Sequence, residues 1–114
     1  MIWLDDRLPT LPATRALERH FDFILLSAVW MFLPPAERLE ALQSLTMLLK
    51  PAGKIGMTVQ SAFVTRQELK FATSDDDFAE LAHSCGLTLL YCRDTPDVNG
   101  RPGVSWQTVL LQKP

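Results

Sequence analysis

The chain has 114 residues, of which 47% are hydrophobic, 21% charged and 9% aromatic, a composition typical of one globular domain spanning residues 1–114. Eleven basic and thirteen acidic residues give a net charge of -2, and without a basic run we expect no nucleic-acid surface. The apolar stretch Phe21–Pro35 contains Asp22 and Ser27, so it does not predict a membrane-spanning helix of about 20 residues. The N-terminus lacks the basic start and apolar run of a signal peptide, which favours a cytoplasmic protein.

The cysteines and histidines do not form a metal-binding pattern. Cys85 and Cys92 have six residues between them, and His20 and His83 lie far apart; no zinc framework has this spacing. We interpret both cysteines as core thiols rather than a redox pair. His83 is expected near a helix C-terminus, where a cation interacts favourably with the helix dipole. The acidic run Asp75–Asp77 is interpreted as the first turn of a helix and not as a metal site.

The first half of the chain predicts a strand, a helix and a second strand. Phe21–Val29 is apolar on both alternating faces after its first residues, which is typical of a buried parallel strand covered by helices on both sides. Pro34–Pro35 suits the start of a helix. An amphipathic helix follows, with Leu39, Leu42, Leu45 and Leu49 opposite Glu37, Arg38, Glu40 and Gln43. Pro51 and Gly53 end it, and Lys54–Gln60 is predicted to be the second strand.

The second half predicts one more helix and two further strands. The pattern of residues 61–73 is ambiguous, with a short helical turn around Gln67–Phe71 as one interpretation. Ser74 is a candidate N-cap for a helix that ends at Gly86, with an apolar stripe formed by Phe78, Leu81, Ala82 and Cys85. Leu87–Cys92 and Val104–Leu111 are predicted strands. The loop between them is too short for a helical crossover, so they should run antiparallel. This order of elements predicts an α/β sheet with an antiparallel member.

Several sequence features occur here in the order in which they occur in one enzyme family. Phe21–Ile24 is similar to an "FDxI" strand, Leu49–Gly53 to an "LkPGG" turn, Glu80–Leu87 to an "ELA..CGL" helix exit, and the last two strands to a closing hairpin. Over about residues 1 to 112, the chain thereby resembles the C-terminal part of the class I S-adenosylmethionine (SAM)-dependent methyltransferases. The resemblance implies a partial Rossmann-like sheet whose strands begin, in spatial order, near residues 21, 54, 104 and 87.

Two cofactor-binding elements of that family are missing from the chain. The family has a glycine-rich turn after its first strand and an acidic residue at the end of its second, whereas no two of the five glycines here have G-x-G spacing. By resemblance, Asp5 or Asp6 would contact the adenine. The other residues implied in cofactor binding leave the carboxyl end of the first predicted strand: Ser27, Ala28, Val29 and Trp30.

The candidate substrate-binding residues, Arg101 and Trp106, each have two interpretations. Arg101 lies in a loop, where it would either clamp an anionic substrate group or be an ordinary surface arginine. Trp106 would either stack on a planar substrate or pack in the core. Phe32 occupies a position where many relatives have histidine, and a phenyl ring cannot transfer a proton. The sequence pattern therefore identifies no catalytic residue.

The resemblance implies a truncated SAM-dependent methyltransferase-like protein with weak or no methyl transfer of its own. An alternative is a non-enzymatic interaction module, and a third is a small-molecule binding protein using the remaining wall. The strand Phe21–Val29 would lack its family neighbours. We therefore expect it to be covered by a second copy in a two-fold homodimer, by a second chain, or by Ile2–Leu4 folding back.

Overall fold

A computed structural model describes residues 6–27, 30, 33–62, 75–96, 99–100, 102 and 104–114. The elements in chain order are α1 (Pro12–Ala16), β1 (Phe21–Ser27), α2 (Pro35–Leu48), β2 (Leu49–Ala62), α3 (Asp75–Ser84), β3 (Thr88–Pro96) and β4 (Ser105–Gln112). The four strands form one sheet in the order β1-β2-β4-β3. Strand β1 runs parallel to β2, and β4 runs antiparallel to both β2 and β3. The predicted α/β class, strand order and antiparallel sense are confirmed.

Helices α2 and α3 pack on one face of the sheet. Residues that alternate along β2 and β4 form the sheet side of this core, namely Ile55, Met57, Val59, Val109 and Leu111, each at most 1% exposed. The helices contribute Leu42, Leu45, Phe78 and Ala82 to the same cluster. The alternation follows from the two-residue period of a strand, which sends every second side chain to the helical layer.

The other face of β1 is exposed to solvent. Phe23 is 53% exposed and Leu25 is 64% exposed, and no residue of β1 is fully buried. The prediction that this strand is covered on both faces is therefore wrong for the part of the chain that the structure describes. The physical reason is that α2 and α3 lie on the opposite face, while β1 is an edge of the described sheet.

Helix α2 buries a different arc from the predicted one. Arg38 is only 3% exposed, whereas Leu39 is 40% exposed. With 3.6 residues per turn, Arg38 lies on the same arc as Leu42 and Leu45, and Leu39 lies about 100° from Arg38, outside it. The assignment of Leu39 to the buried face and Arg38 to the polar face is therefore wrong.

Helix α3 ends at a left-handed glycine. Gly86 has φ +72°, the Gly86 N–H donates to the His83 carbonyl at 3.1 Å, and the Leu87 N–H donates to the Ala82 carbonyl at 2.8 Å. This is the expected glycine C-terminus of a helix. Helix α2 ends differently, because its C-cap Leu49 is extended. The left-handed residue Ala52, with φ 63°, lies three residues further on, within β2.

Three elements differ from the predicted ones. Helix α1 is not predicted by the sequence pattern, β2 spans Leu49–Ala62 instead of Lys54–Gln60, and β3 extends to Pro96 instead of ending at Cys92. The proposed cap Ser74 and the turn around Gln67–Phe71 lie outside the described residues. Within the described ranges, no helix is long and apolar enough to cross a membrane.

Candidate functional site at the carboxyl edge of the sheet

The carboxyl ends of β1 and β2 and the start of β4 meet at one edge of the sheet. Ser27 is paired with Thr58 in the register of β1 and β2, and the Thr58 hydroxyl donates to Ser27 Oγ at 3.5 Å. Two residues further along β2, Gln60 is paired with Trp106 of β4. Because directly opposite residues project to the same face, Ser27, Thr58 and Trp106 share the face away from the helices. The structure thus brings Ser27 and Trp106 to one edge, roughly 12 Å apart across β2.

Trp30 lies in the core just beyond β1. It has no exposed surface, its ring centroid is 6.0 Å from that of Phe78, and the Arg38 guanidinium carbon lies 5.9 Å from its ring centroid. Such a cation above an indole face is a favourable electrostatic contact. The indole N–H is buried with no acceptor in the described part of the chain. Trp30 therefore packs between Phe78 of α3 and the buried guanidinium of Arg38, and its ring is not exposed at the carboxyl edge of the sheet.

Asp6 receives hydrogen bonds at the start of α1. Its Oδ1 accepts from the Arg7 N–H at 2.9 Å and the Ala13 N–H at 3.3 Å. Its Oδ2 accepts from the Thr14 N–H at 2.6 Å and the Thr14 hydroxyl at 2.5 Å. Desolvation acts to raise the pKa of Asp6, but the hydrogen bonds from Thr14, Arg7 and Ala13 together outweigh it, so the pKa lies below its ordinary value.

The Asp6 carboxylate thus caps the N-terminus of the short helix α1. Pro12 has no N–H to satisfy, and Ala13 and Thr14 carry the next two N–H groups of α1. A carboxylate has about four acceptor positions, and four donors already occupy those of Asp6. An adenine amino group would have to displace one of these donors.

The remaining predicted residues are not placed by the structure. Asp5, Ala28, Val29 and Arg101 lie outside the described residues. Cys85 and Cys92 are not joined in a disulfide, and both are half-buried; burial raises the pKa of the Cys85 thiol. Among the residues that are described, no three of His, Cys, Asp and Glu cluster in a way that would hold a metal ion.

The described residues do not by themselves fit SAM. Asp6 already accepts four hydrogen bonds, three of them from α1, and Trp30 has no exposed surface. The Ser27 and Thr58 hydroxyls and the Trp106 ring remain on one side of the edge. A bound methyl donor must be held on several sides to align with its acceptor, and the described residues at this edge line one side only.

The sequence analysis did not identify two side chains near this edge, those of Thr58 and Arg38. Thr58 contacts Ser27 only through the parallel register of β1 and β2, which sequence periodicity does not specify. Arg38 reads as a polar-face residue in the apolar pattern, yet it packs against Trp30 and its Nε donates to the Leu33 carbonyl at 3.2 Å. A more exact helical phase, starting from Pro35, would have placed Arg38 on the buried arc.

Comparison by sequence finds no matching family and no matching curated protein. Among solved structures, a SAM-dependent methyltransferase from Methanosarcina mazei aligns with TM-score 0.68 and 15% identity, covering 88% of this chain and 64% of its own. A 1,6-didemethyltoxoflavin-N1-methyltransferase from Burkholderia thailandensis, solved with 1,6-didemethyltoxoflavin and S-adenosylhomocysteine, aligns with TM-score 0.67 and 17% identity over 82% of this chain and 44% of its own.

The same fold also occurs in a protein named for another reaction. The (4+2) cyclase SpnF aligns with TM-score 0.64 and 13% identity, covering 84% of this chain and 50% of its own. The chain spans between 44% and 64% of the length of these three structures. At such identities, the likeness establishes fold and not activity. This chain therefore has the fold of the C-terminal part of a SAM-dependent methyltransferase domain.

Proposed function

We propose that this chain is the incomplete, C-terminal part of a SAM-dependent methyltransferase-like domain, with weak or no methyl transfer on its own. The fold supports the assignment to this class, since methyltransferase structures match over more than four fifths of the chain. Activity would require the groups that hold the other side of the cofactor, on whichever polypeptide they are found.

The observation that carries this proposal is the one-sided wall at the carboxyl edge. Open α/β sheets bind ligands in the crevice at this edge, and here Ser27, Thr58 and Trp106 line one side of it. Asp6, the residue best suited to an adenine amino group, is already bonded to four donors. A pocket that lacks half of its polar contacts leaves the ligand's own polar groups unpaired, and this lowers affinity steeply.

Calorimetric titration of the 114-residue chain with SAM, and separately with S-adenosylhomocysteine, tests the proposal. We expect no measurable heat of binding at micromolar protein. The Burkholderia thailandensis methyltransferase, which was solved with S-adenosylhomocysteine, serves as the positive control. A dissociation constant in the micromolar range, about -8 kcal/mol, would overturn the proposal. In that event Trp106→Ala would show whether the candidate edge is the site.

A protein-interaction role is the second candidate. The observation that favours it is the exposure of Phe23 and Leu25 on a strand at the edge of the described sheet. Exposed edge strands with apolar side chains are the places where sheets pair with other chains.

A further inference from the structure

The described sheet has two edges, and they differ in how well they are protected. Strand β3 has a bulge between Leu89 and Tyr91, the adjacent charges Arg93 and Asp94, and a proline at its end. Bulges, charges and prolines are the features by which natural edge strands avoid pairing with other sheets. The β3 edge is therefore a poor template for another strand.

Strand β1 has fewer of these protective features. Its pairing with β2 is irregular between Phe21 and Phe23, but the extra residues lie in β2 and not in β1. The seven residues of β1 include no proline and a single charge, Asp22, which is paired with Lys50 at 3.7 Å. Phe23 and Leu25 project from the outer face with about half or more of their surface exposed. The Phe23 ring lies across Gly56, where an added Cβ would be 2.8 Å from Phe23 Cζ, so the absence of a side chain there lets the ring lie on this face.

An apolar groove lies along the β1 edge, mainly on the helical side. Its volume is about 290 Å³, and none of the described residues that line it is charged. Its walls include Leu11, Phe21, Ile24, Leu26, Leu45 and Leu48. A strand added at the β1 edge would place every second side chain into this groove and the others beside Phe23 and Leu25.

We propose that two copies of the chain pair through β1, antiparallel about a two-fold axis at Ile24, so that two four-stranded sheets form one continuous sheet. In this register Phe23 of each copy lies opposite Leu25 of the other, and Ile24 lies opposite Ile24. Directly opposite residues share a face, so the two exposed apolar side chains cover each other. A two-fold axis requires such self-complementarity.

The charges of β1 are compatible with this register. The two Asp22 carboxylates would be four strand positions apart, roughly 14 Å, so no like charges meet directly. Each Asp22 would lie opposite Leu26, on the groove side of the sheet. It would keep the ion pair with Lys50 of its own copy at 3.7 Å, so the carboxylate brought beside this apolar wall is already paired. A second copy of β1 would cover the apolar side chains on both faces of the edge at once. A strand from another protein would do so only if its apolar residues alternated in the same way.

Sedimentation velocity at micromolar concentrations tests the assembly. We expect the wild-type chain to be a dimer and Leu25→Asp to be a monomer with an unchanged circular dichroism spectrum, because Leu25 is already 64% exposed. The matched control is Leu90→Asp, at a 41% exposed leucine on the opposite edge strand, which should remain dimeric. A monomeric wild-type chain would overturn the proposal, as would a dimer broken by Leu90→Asp and not by Leu25→Asp.

Disulfide trapping tests the register. Under mild oxidation, Ile24→Cys should form a covalent dimer on a non-reducing gel, while Ser27→Cys should not, because the two Ser27 positions would be roughly 20 Å apart. The wild-type chain, oxidised in parallel, gives the background from Cys85 and Cys92. A covalent dimer of Ser27→Cys, without one of Ile24→Cys, would overturn the register.

A mixed experiment covers the case in which Ile24→Cys does not fold. Phe23→Cys and Leu25→Cys, each purified separately and then mixed, should cross-link with each other more than with themselves. Equal or greater cross-linking within each pure variant would contradict pairing about Ile24.

Discussion

Asp6 acts on the stability of the chain through a helix that begins six residues later. Three of its four hydrogen bonds hold the first turn of α1, so Asp6→Ala should lower the melting temperature measurably. The matched control is Asp94→Ala, since Asp94 is an exposed carboxylate on β3, away from α1 and from the proposed dimer edge. Thermal melts at pH 7 measure both changes. Equal shifts for the two variants would contradict the capping role.

The pH dependence of this effect has a defined sign. The pKa of Asp6 is lowered in the folded chain, so its stabilisation is fully present above the unfolded value of about 4 and is lost as the pH falls through the lowered folded value. The difference in melting temperature between wild type and Asp6→Ala should therefore shrink on acidification below about pH 4. A difference that persists at pH 2 would mean that the carboxylate charge is not responsible.

Ala52 is a site of backbone strain that glycine would relieve. Its φ of 63° lies in the left-handed region, which costs an L-residue about 1–2 kcal/mol. Glycine has a greater entropy loss on folding, about 0.5–1 kcal/mol. Ala52→Gly should therefore stabilise the chain by roughly 0.5–1 kcal/mol in urea unfolding, as the resemblance to an "LkPGG" turn also suggests.

The control for this change is a second alanine-to-glycine substitution in ordinary helical backbone. Ala41→Gly, in the interior of α2, should destabilise by about 1 kcal/mol or more. The next residue, Gly53, should not tolerate a side chain, because a Cβ there would be 2.8 Å from the Lys50 carbonyl oxygen. If Ala52→Gly destabilises the chain as much as Ala41→Gly does, the backbone at residue 52 is not strained.

At the scale of elements, α2 derives its stability from one buried arc. Leu42 has no exposed surface, and Leu39 is 40% exposed on the same helix. Leu42→Ala should cost about 2–5 kcal/mol, because it removes apolar contacts and leaves a cavity. Leu39→Ala should cost well under half of that. Chemical unfolding with an unchanged denaturant slope distinguishes the two, and similar costs would favour the predicted arc over the observed one.

Most helices and strands could be predicted from local sequence patterns, whereas the features that were missed depend on contacts between residues distant in sequence. The strand order and the antiparallel β4 could be anticipated from the resemblance and from a short loop. Helix α1 could not, because its first turn is held by a carboxylate outside it. The burial of Arg38 depends on helical phase, and the contact of Ser27 with Thr58 depends on strand register. Neither is visible in apolar periodicity alone.

At the scale of the whole molecule, the sheet is supported unevenly. Strands β2 and β4 each have a neighbour on both sides, while β1 and β3 lie at the edges of the described sheet. The central strands also carry the residues with almost no exposure, such as Ile55 and Val109. Unfolding free energy is therefore expected to be highest at the centre and to fall toward β1.

Amide hydrogen exchange would detect both this gradient and the assembly. The amides of Val109 and Leu111 should exchange slowest in every form of the chain, since β4 is bonded on both sides. Along β1, parallel pairing to β2 engages alternate N–H groups, so the monomeric Leu25→Asp variant should show protection with a two-residue period. In the wild-type dimer the other N–H groups bond to the second copy, and the alternation should disappear. Alternating protection in wild type, at concentrations where it sediments as a dimer, would place the dimer contact on a surface other than β1.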